Sequence, residues 1–464
     1  MSESLTSAFD RLVDARPPAR PTILFDTATV LGGSIAGLLA ARVLADHAGE
    51  VVIVERDELP AKPRPRPGTP QDQQVHTLLP AGHQWIERWL PGFTADALER
   101  GALLSGPDTT STAFDGHRQV RADTDFRLFV AGRPLIETVL REHVIARPNV
   151  SVVRGRVTGL RFADGAVSGV AYYDGNENGN GERVLATDFT VDATGRASRV
   201  PAWLSEHGYD EPELERLAAP INYATALFHR DEPASELEVA CALGLFAPGQ
   251  GVGGVSVAAA NAVEDDQWIV MLMGYDDARP GRTLDQFREI TAGLPGVFGR
   301  AAAGAVTREI VTYHQAESRR RDFTGVRRFP AGLVSVGDAV ASFNPVYGQG
   351  MSSAALHASC LSAHLTDGPD LAAPATGFFE RQRLVVDAAW AISAGGDAER
   401  LDAVTGAAVP EEVSRQRQVL RQIVGATLVD PAVATAFNNV SYMLRHPATL
   451  ADPAIVERAA AATG

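Results

Sequence analysis

Lysine is almost missing from this chain: Lys62 is its only one, and every other basic residue is arginine. We read the bias as one of coding. Cysteine is nearly as scarce. Cys241 and Cys360 lie far apart and form no CxxC pair, which excludes a disulfide framework and a structural zinc site and points to a reducing, cytoplasmic setting. Long apolar runs are also missing. The most apolar early stretch, Val30 to Ala45, is interrupted by Gly32, Gly33, Ser34, Gly37 and Arg42, too short and too broken to span a bilayer. The polar residues ahead of it, Glu3, Asp10 and Asp14 among them, read as no signal peptide. Positive charge is in deficit. A formal net charge of −15 argues against nucleic acid and anionic lipid as partners. There is no HExxH and no GxSxG, and His76, His83, His117, His143, His229, His314 and His357 fall at no metal-ligand spacing, so no metal is expected. No repeat of solenoid type is present.

What is present suits two or three structural units. The chain has 464 residues, of which 45% are hydrophobic and 21% charged, an ordinary globular balance with room for a large core. Residues 1–22 carry no apolar period and end in a proline-rich run, and read as a flexible arm. Thr27–Leu31 and Val51–Val54 read as strands on either side of a helix from Ala36 to His47. Residues 59–75 read as an irregular loop. Helices are expected from about Leu78 to Leu90 and from Pro134 to Ala146. Strands are expected at Val150–Val153, Arg156–Phe162, Ala166–Tyr173 and Val184–Val191, with a polar turn at 174–181. From about 201 to 325 strands dominate, with runs at Ile221–Phe228, Val252–Ala259 and Trp268–Met273. A buried strand at Leu333–Val336 and a helix from about Gly350 to Leu365 follow, and the last hundred residues have a helical pattern.

The first chemical signal is Gly32-Gly-Ser-Ile-Ala-Gly37. It stands between strand and helix, and Glu55 lies 23 residues past Gly32 at the end of the next strand. Gly32 permits the tight turn, Ser34, Ile35 and Ala36 open the helix, and Gly37 permits close packing of helix on strand. The helix N-terminus then offers unpaired N–H groups to a pyrophosphate, and Glu55, with Arg56 beside it, stands where a ribose would be gripped. Strand, glycines, helix, strand and acid in that order make a dinucleotide site, although Ser34 takes the place of the middle glycine. The second signal lies far downstream: Leu333-Val-Ser-Val-Gly-Asp338, then Asn344-Pro-Val-Tyr-Gly-Gln-Gly-Met351. Asp338 is placed to accept from a sugar-chain hydroxyl. Gly348, Gln349, Gly350 and Met351 open a helix whose N-terminus stabilises negative charge. A third glycine run, Gly249-Gln-Gly-Val-Gly-Gly254, has no helix after it and reads as a loop.

These segments resemble the FAD-dependent aromatic-hydroxylase superfamily, the single-component flavin monooxygenases. The run from Gly337 to Ser352 is especially similar to the flavin epoxidases of polyether polyketide pathways, as is Val385-Val-Asp-Ala-Ala-Trp390. Arg133 in Gly132-Arg-Pro-Leu135 matches the arginine that these proteins place near FAD, and Asp192-Ala-Thr-Gly-Arg-Ala-Ser198 matches their middle motif, with Thr194 where Asp is frequent. One loop departs. Relatives read Pro-Gln-x-Arg-His-x-His where this chain reads Pro70-Gln-Asp-Gln-Gln-Val-His76. Gln73 and Gln74 read either as a changed environment for the flavin or as drift in a surface loop. Flavin halogenases share the fold but need an active-site lysine, and Lys62 lies among prolines and arginines. Trp85 and Trp89, four apart on a helix, read as core rather than as a halogenase signature. The absence of a second dinucleotide domain argues against two-domain disulfide reductases and Baeyer–Villiger enzymes.

The resemblance implies an α+β fold of the para-hydroxybenzoate-hydroxylase type. A Rossmann-like FAD domain is expected from 23–100, 130–200 and 326–368, an inserted sheet domain for the substrate from 101–129 and 201–325, and helices over 369–464. The substrate is expected between the flavin ring and the inserted sheet. The leading reading is an FAD-dependent monooxygenase, a hydroxylase or epoxidase acting on a polyketide-like small molecule with NAD(P)H as co-substrate. The alternative is a redox-neutral [4+2] cyclase, similar to the FAD-dependent enzymes that form the decalin of spirotetramate polyketides, in which FAD is structural. Neither reading singles out a catalytic side chain, and the oligomeric state is left open.

Overall fold

A computed structural model describes residues 4–174 and 181–463. Two large sheets organise it. The first has seven strands, in the order Glu182–Ala186, Ala166–Asp174, Val150–Ala163, Ala48–Glu55, Phe25–Leu31, Phe189–Asp192 and Leu333–Ser335. Its central strands are parallel, with Val30 opposite both Ile53 and Val191, and its 150–186 limb is antiparallel. The central strands are sealed on both faces, so they read as unbroken apolar runs. Alternation of buried and exposed positions is absent there: Ala28, Thr29, Val30 and Leu31 are all buried. The helix Ile35–Leu44 and the helix Gly350–Thr366 pack on one another over this sheet.

The second sheet has eight strands, in the order Ala341–Ser342, Val306–Asp322, Glu213–His229, Gln267–Tyr275, Val257–Val263, Cys241–Leu245, Thr110–Phe114 and His117–Arg118. It is antiparallel except where Cys241–Leu245 runs parallel to Thr110–Phe114. One face buries Phe228 and Leu272 against Phe287 and Phe298 of two short helices, Leu284–Ala292 and Gly296–Ala301. The other face carries Tyr223, Met271 and Met273 and meets Val75 and Val346. Three short strands, Thr77–Leu78, Leu128–Val130 and Leu103–Ser105, form a third sheet. Helices Thr376–Thr405, Glu411–Ala426, Pro431–Ser441 and Pro453–Thr463 complete the chain. No helix among the described residues is long and apolar enough to cross a membrane.

Several sequence expectations are corrected. The arm at 1–22 contains a helix, Leu5–Val13, capped by the Ser4 hydroxyl, which accepts from the Ser7 N–H. Its Phe9, Leu12 and Val13 are buried, an i, i+3, i+4 stripe too short to register as a period. The expected strand at Val184–Val191 is two strands in different places. The Asp188 carboxylate accepts from the backbone N–H groups of Asp26 and Thr27 at 2.9 and 3.0 Å, which turns the chain back into the centre of the sheet. Val252–Gly254 is a 3-10 turn with Gly253 at φ 61°, and the strand starts at Val257. The third glycine run is thus a loop. Most of the polar turn at 174–181 lies outside the described residues. Trp85 and Trp89 are fully buried and stacked at 4.3 Å.

Candidate functional site

The fingerprint strand ends at Leu31, and Gly32 turns the chain at φ 101°. A Cβ there would stand 2.6 Å from the Ala193 carbonyl oxygen. A Cβ on Gly37 would overlap the Gly32 carbonyl oxygen outright, so the first helical turn tolerates no side chain at that position. The helix starts at Ile35, whose side chain is buried, and Ala36 and Gly37 follow in its first turn. Ser34 gives no side-chain cap. Its hydroxyl donates instead to Glu137 Oε2 at 2.6 Å. The first N–H groups of this helix are left for an anion.

Around that terminus the chain builds a charged cradle. Glu55 is buried, and its two carboxylate oxygens accept from the Gly33 and Asp57 N–H groups at 2.7 and 2.8 Å. Arg133 opens the helix Arg133–Ile145. It donates from Nη2 to Ser34 Oγ at 3.2 Å and pairs through Nε with Asp72 at 2.8 Å. Arg66, only 4% exposed in its side chain, joins Glu137, Asp57 and Glu55. Burial pushes the Asp72 carboxyl up, against the pull of Arg133. Arg56 is different: its side chain is 58% exposed and stands at the rim.

Asp338 lies in the 3-10 turn Gly337–Ala339, which presses so close to the first helix that a Cβ on Gly337 would meet the Ala36 Cβ at 2.6 Å. Its carboxyl is raised by burial, against the pull of Arg133, Arg196 and Arg319. The turn is fixed from beneath, where the Gly337 N–H donates to Nδ1 of buried His357 at 3.0 Å. Gly348 sits at φ 66°, and the helix from Gly350 begins with no side-chain cap. A Cβ on Gly350 would meet open space. Gln349 is buried with both atoms of its amide unpartnered, and Met351 anchors the first turn in the core. In the middle motif the Thr194 N–H and hydroxyl both donate to the buried Asp192 carboxylate, at 3.0 and 2.5 Å.

Two uncapped helix termini, an acid at the second strand's end, Arg133 against the fingerprint turn and an orphaned buried amide fit a dinucleotide carrying a charged ring. Adjoining them is the Tyr223, Met271 and Met273 face of the second sheet, with Tyr275 and Tyr313 packed beside it. The Tyr223 hydroxyl is buried without a partner there. Two clefts elsewhere, of about 250 and 410 Å³, are lined by no residue of this constellation. The departing loop is not a surface loop throughout. Gln74 is buried, and its Oε1 accepts from the Thr225 hydroxyl at 2.5 Å. The Gln73 carbonyl accepts from Arg308 at 2.7 Å. Sequence reasoning missed Arg66, Asp72 and Glu137. The one signal for them was the placement of Glu137 four residues after Arg133 on a helix.

A family profile described as FAD binding domain matches residues 26–368. Protein Rv3254 of Mycobacterium tuberculosis (strain ATCC 25618 / H37Rv) is 34% identical over 428 residues, which cover 89% of this chain and 88% of that protein. Among solved structures, p-nitrophenol 4-monooxygenase PnpA from Pseudomonas putida DLL-E4 is similar with a TM-score of 0.61 at 16% identity, over 92% of this chain and 99% of that one. A triple mutant of the flavin-dependent brominase Bmp2 gives 0.61 at 14% identity, over 89% of this chain and 97% of that one. PqsL of P. aeruginosa in complex with 2-aminobenzoylacetate gives 0.58 at 19% identity, over 82% and 96%. At these identities the structural likeness is one of fold.

Proposed function

The chain belongs to the FAD binding domain family, and from that premise we propose that it is an FAD-dependent monooxygenase, a hydroxylase or epoxidase of a polyketide-like small molecule. The observation that carries this is one juxtaposition. The uncapped terminus at Gly350, with the unpartnered Gln349 amide beside it, adjoins the Tyr223–Met271–Met273 face of the second sheet. Bound FAD would supply the redox chemistry, with NAD(P)H as reductant and molecular oxygen as the source of the inserted atom; the overall balance is substrate, O₂, NAD(P)H and a proton giving oxygenated substrate, NAD(P)⁺ and water.

The chain's own residues bind, orient and exclude water. Gly32 to Gly37 and Arg133 hold the diphosphate, Glu55 a ribose, and Asp338 the sugar chain. The N–H groups at Gln349–Met351 and the Gln349 side-chain amide would stabilise negative charge on the ring; the Gly348 N–H is spent on the Pro345 carbonyl. Tyr223, Tyr275, Tyr313 and the two methionines give the substrate an apolar wall with a few polar tips. No side chain on this wall is set up as a nucleophile. Burial raises the pKa of all three tyrosine hydroxyls, so they act as neutral hydrogen-bonding groups.

A second reading is kept because of Gln74. With neither arginine nor histidine at 73–74, and with Gln74 committed to Thr225, the loop reads as a brace between sheets, as a redox-neutral [4+2] cyclase with structural FAD would have it. The test is anaerobic. Purified holoprotein is mixed with NADH or NADPH, with and without polyene or polyketide ligands, and flavin absorbance is followed. Ligand-accelerated bleaching, with reoxidation in air, supports oxygen transfer. A flavin that stays oxidised while the ligand becomes an isomer of unchanged mass sinks that reading in favour of the cyclase. Asp338→Ala gives a second discriminator: a folded, inactive protein is expected if FAD is a reagent, and joint loss of FAD and soluble fold if it is scaffolding.

A further inference from the structure

The long helix Thr376–Thr405 lies beyond the segment that matches the family profile, residues 26–368, yet it grips the turn next to Gln349 at two points. At Gly396 a Cβ would overlap the Tyr347 hydroxyl, so the helix has a glycine where that ring seats. One residue on, Asp397 is wholly buried, and its Oδ1 accepts from Asn344 Nδ2 at 2.7 Å and from the Tyr275 hydroxyl at 3.2 Å. Asn344 Nδ2 also donates to the Tyr275 oxygen at 3.0 Å. With its NH₂ so committed, the Asn344 amide has one orientation, and its oxygen accepts from the Val346 N–H at 3.0 Å. That bond caps the 3-10 turn Pro345–Tyr347, which leads through Gly348 to the helix terminus.

Asp397 is costly where it stands. Its Oδ2 has no partner, and Nε and Nη2 of Arg400 have none either. Arg400 spends its Nη1 on Asp276 at 2.7 Å and its face on the Tyr275 ring at 4.2 Å. A buried carboxylate with one free oxygen weakens a fold unless something else depends on it. What depends on it here is the turn.

We propose that Asp397 is a positioning residue for the flavin ring: through Asn344 it fixes the Pro345–Tyr347 turn and so aims the Gly350 helix terminus. Because Tyr275 of the second sheet shares the same carboxylate oxygen, a ligand resting on that sheet is mechanically connected to the turn. The inference rests on the assignment of the ring to Gly348–Met351.

The test compares the reduction potential and visible spectrum of bound FAD, and its dissociation constant, in wild type, Asp397→Ala, Asp397→Asn and Gly348→Ala holoproteins. Asp397→Ala is expected to weaken FAD about tenfold, to shift the visible bands and to lower the potential, because a loosened helix terminus stabilises reduced-ring charge less well. Asp397→Asn keeps an acceptor for Asn344 and is expected to restore affinity to within about threefold. A purely structural Asp397 would lower the melting temperature while the folded, FAD-bound protein kept its potential; that result, with Gly348→Ala shifting both signals, overturns the proposal. If Gly348→Ala also leaves the flavin signals unmoved, the placement of the ring is what has failed. Should Asp397→Ala not fold, Tyr275→Phe and Asn344→Leu decide: an unchanged potential and spectrum in both overturns the proposal.

Discussion

The residues proposed to hold the cofactor divide by how far each must look for its partner. Gly32, Gly37 and Glu55 were legible because strand, turn and helix impose their own chemistry over a short stretch of chain. The strictest is Gly37. Gly37→Ala drives a Cβ into the Gly32 carbonyl oxygen, a collision with backbone that nothing can swing aside to relieve. The expected result is loss of about 3 kcal/mol or more and of FAD retention, read by chemical denaturation and by the visible flavin absorbance of the purified protein. Arg66 and Asp72 were illegible because their roles exist only once the helix Arg133–Ile145 arrives. His357, which falls at no metal-ligand spacing, is a core histidine, with a consequence for acid stability. Burial pushes its pKa down to about 3 from 6.5. The unfolded chain therefore binds a proton that the folded chain refuses between those values. Stability falls as pH drops through that window, by up to about 1.4 kcal/mol per pH unit. Urea midpoints measured from pH 7 to 4 should show a shallower acid loss in His357→Gln than in wild type. Equal slopes would mean that the ring is protonated in the fold.

Elements were legible where burial on both faces leaves an unbroken apolar run, as at Val51–Val54, and illegible where one polar side chain redirects the chain, as Asp188 does. The N-terminal helix failed for a different reason. It has one short apolar stripe and gains its stability from what it meets. Phe9 is buried and stands edge-on to His446 at 5.6 Å. Arg88 donates to the carbonyls of Val13 and Ala15, closing the helix from outside. The helix also packs on Gly350–Thr366, whose N-terminal end is the one proposed for the flavin ring. Phe9→Ala should therefore cost about 3 kcal/mol, read in urea, where a free arm would cost nothing. Deleting residues 1–14 should lower the melting temperature and leave the flavin spectrum as it is, since no residue of the helix belongs to the cofactor cradle.

At the scale of the whole molecule the question is what couples two sheets with separate cores. The strand-rich pattern of 201–325 and the family resemblance suggested the inserted segments, but no local signal pairs Thr110–Phe114 with Cys241–Leu245 far along the chain, and none places 341–342 on the edge of the second sheet. Besides the Tyr275–Asp397–Asn344 link, one coupling runs through the loop that departs from the family pattern. Gln74 takes the Thr225 hydroxyl, the Gln73 carbonyl takes Arg308, and Asn261 donates to the His76 carbonyl and the Thr77 hydroxyl at 3.1 and 2.9 Å. The same loop supplies Asp72 to Arg133, so it touches the cofactor cradle and the substrate sheet at once. Thr225→Val keeps the shape and removes the donor, leaving the buried Gln74 amide oxygen unpaired. It should cost about 1–3 kcal/mol. If the loop is a brace, the loss reaches both sheets, and thermal unfolding followed by flavin release and by far-ultraviolet circular dichroism should shift together. If flavin release moves while the dichroism does not, the loop serves the cofactor alone and the sheets are coupled elsewhere.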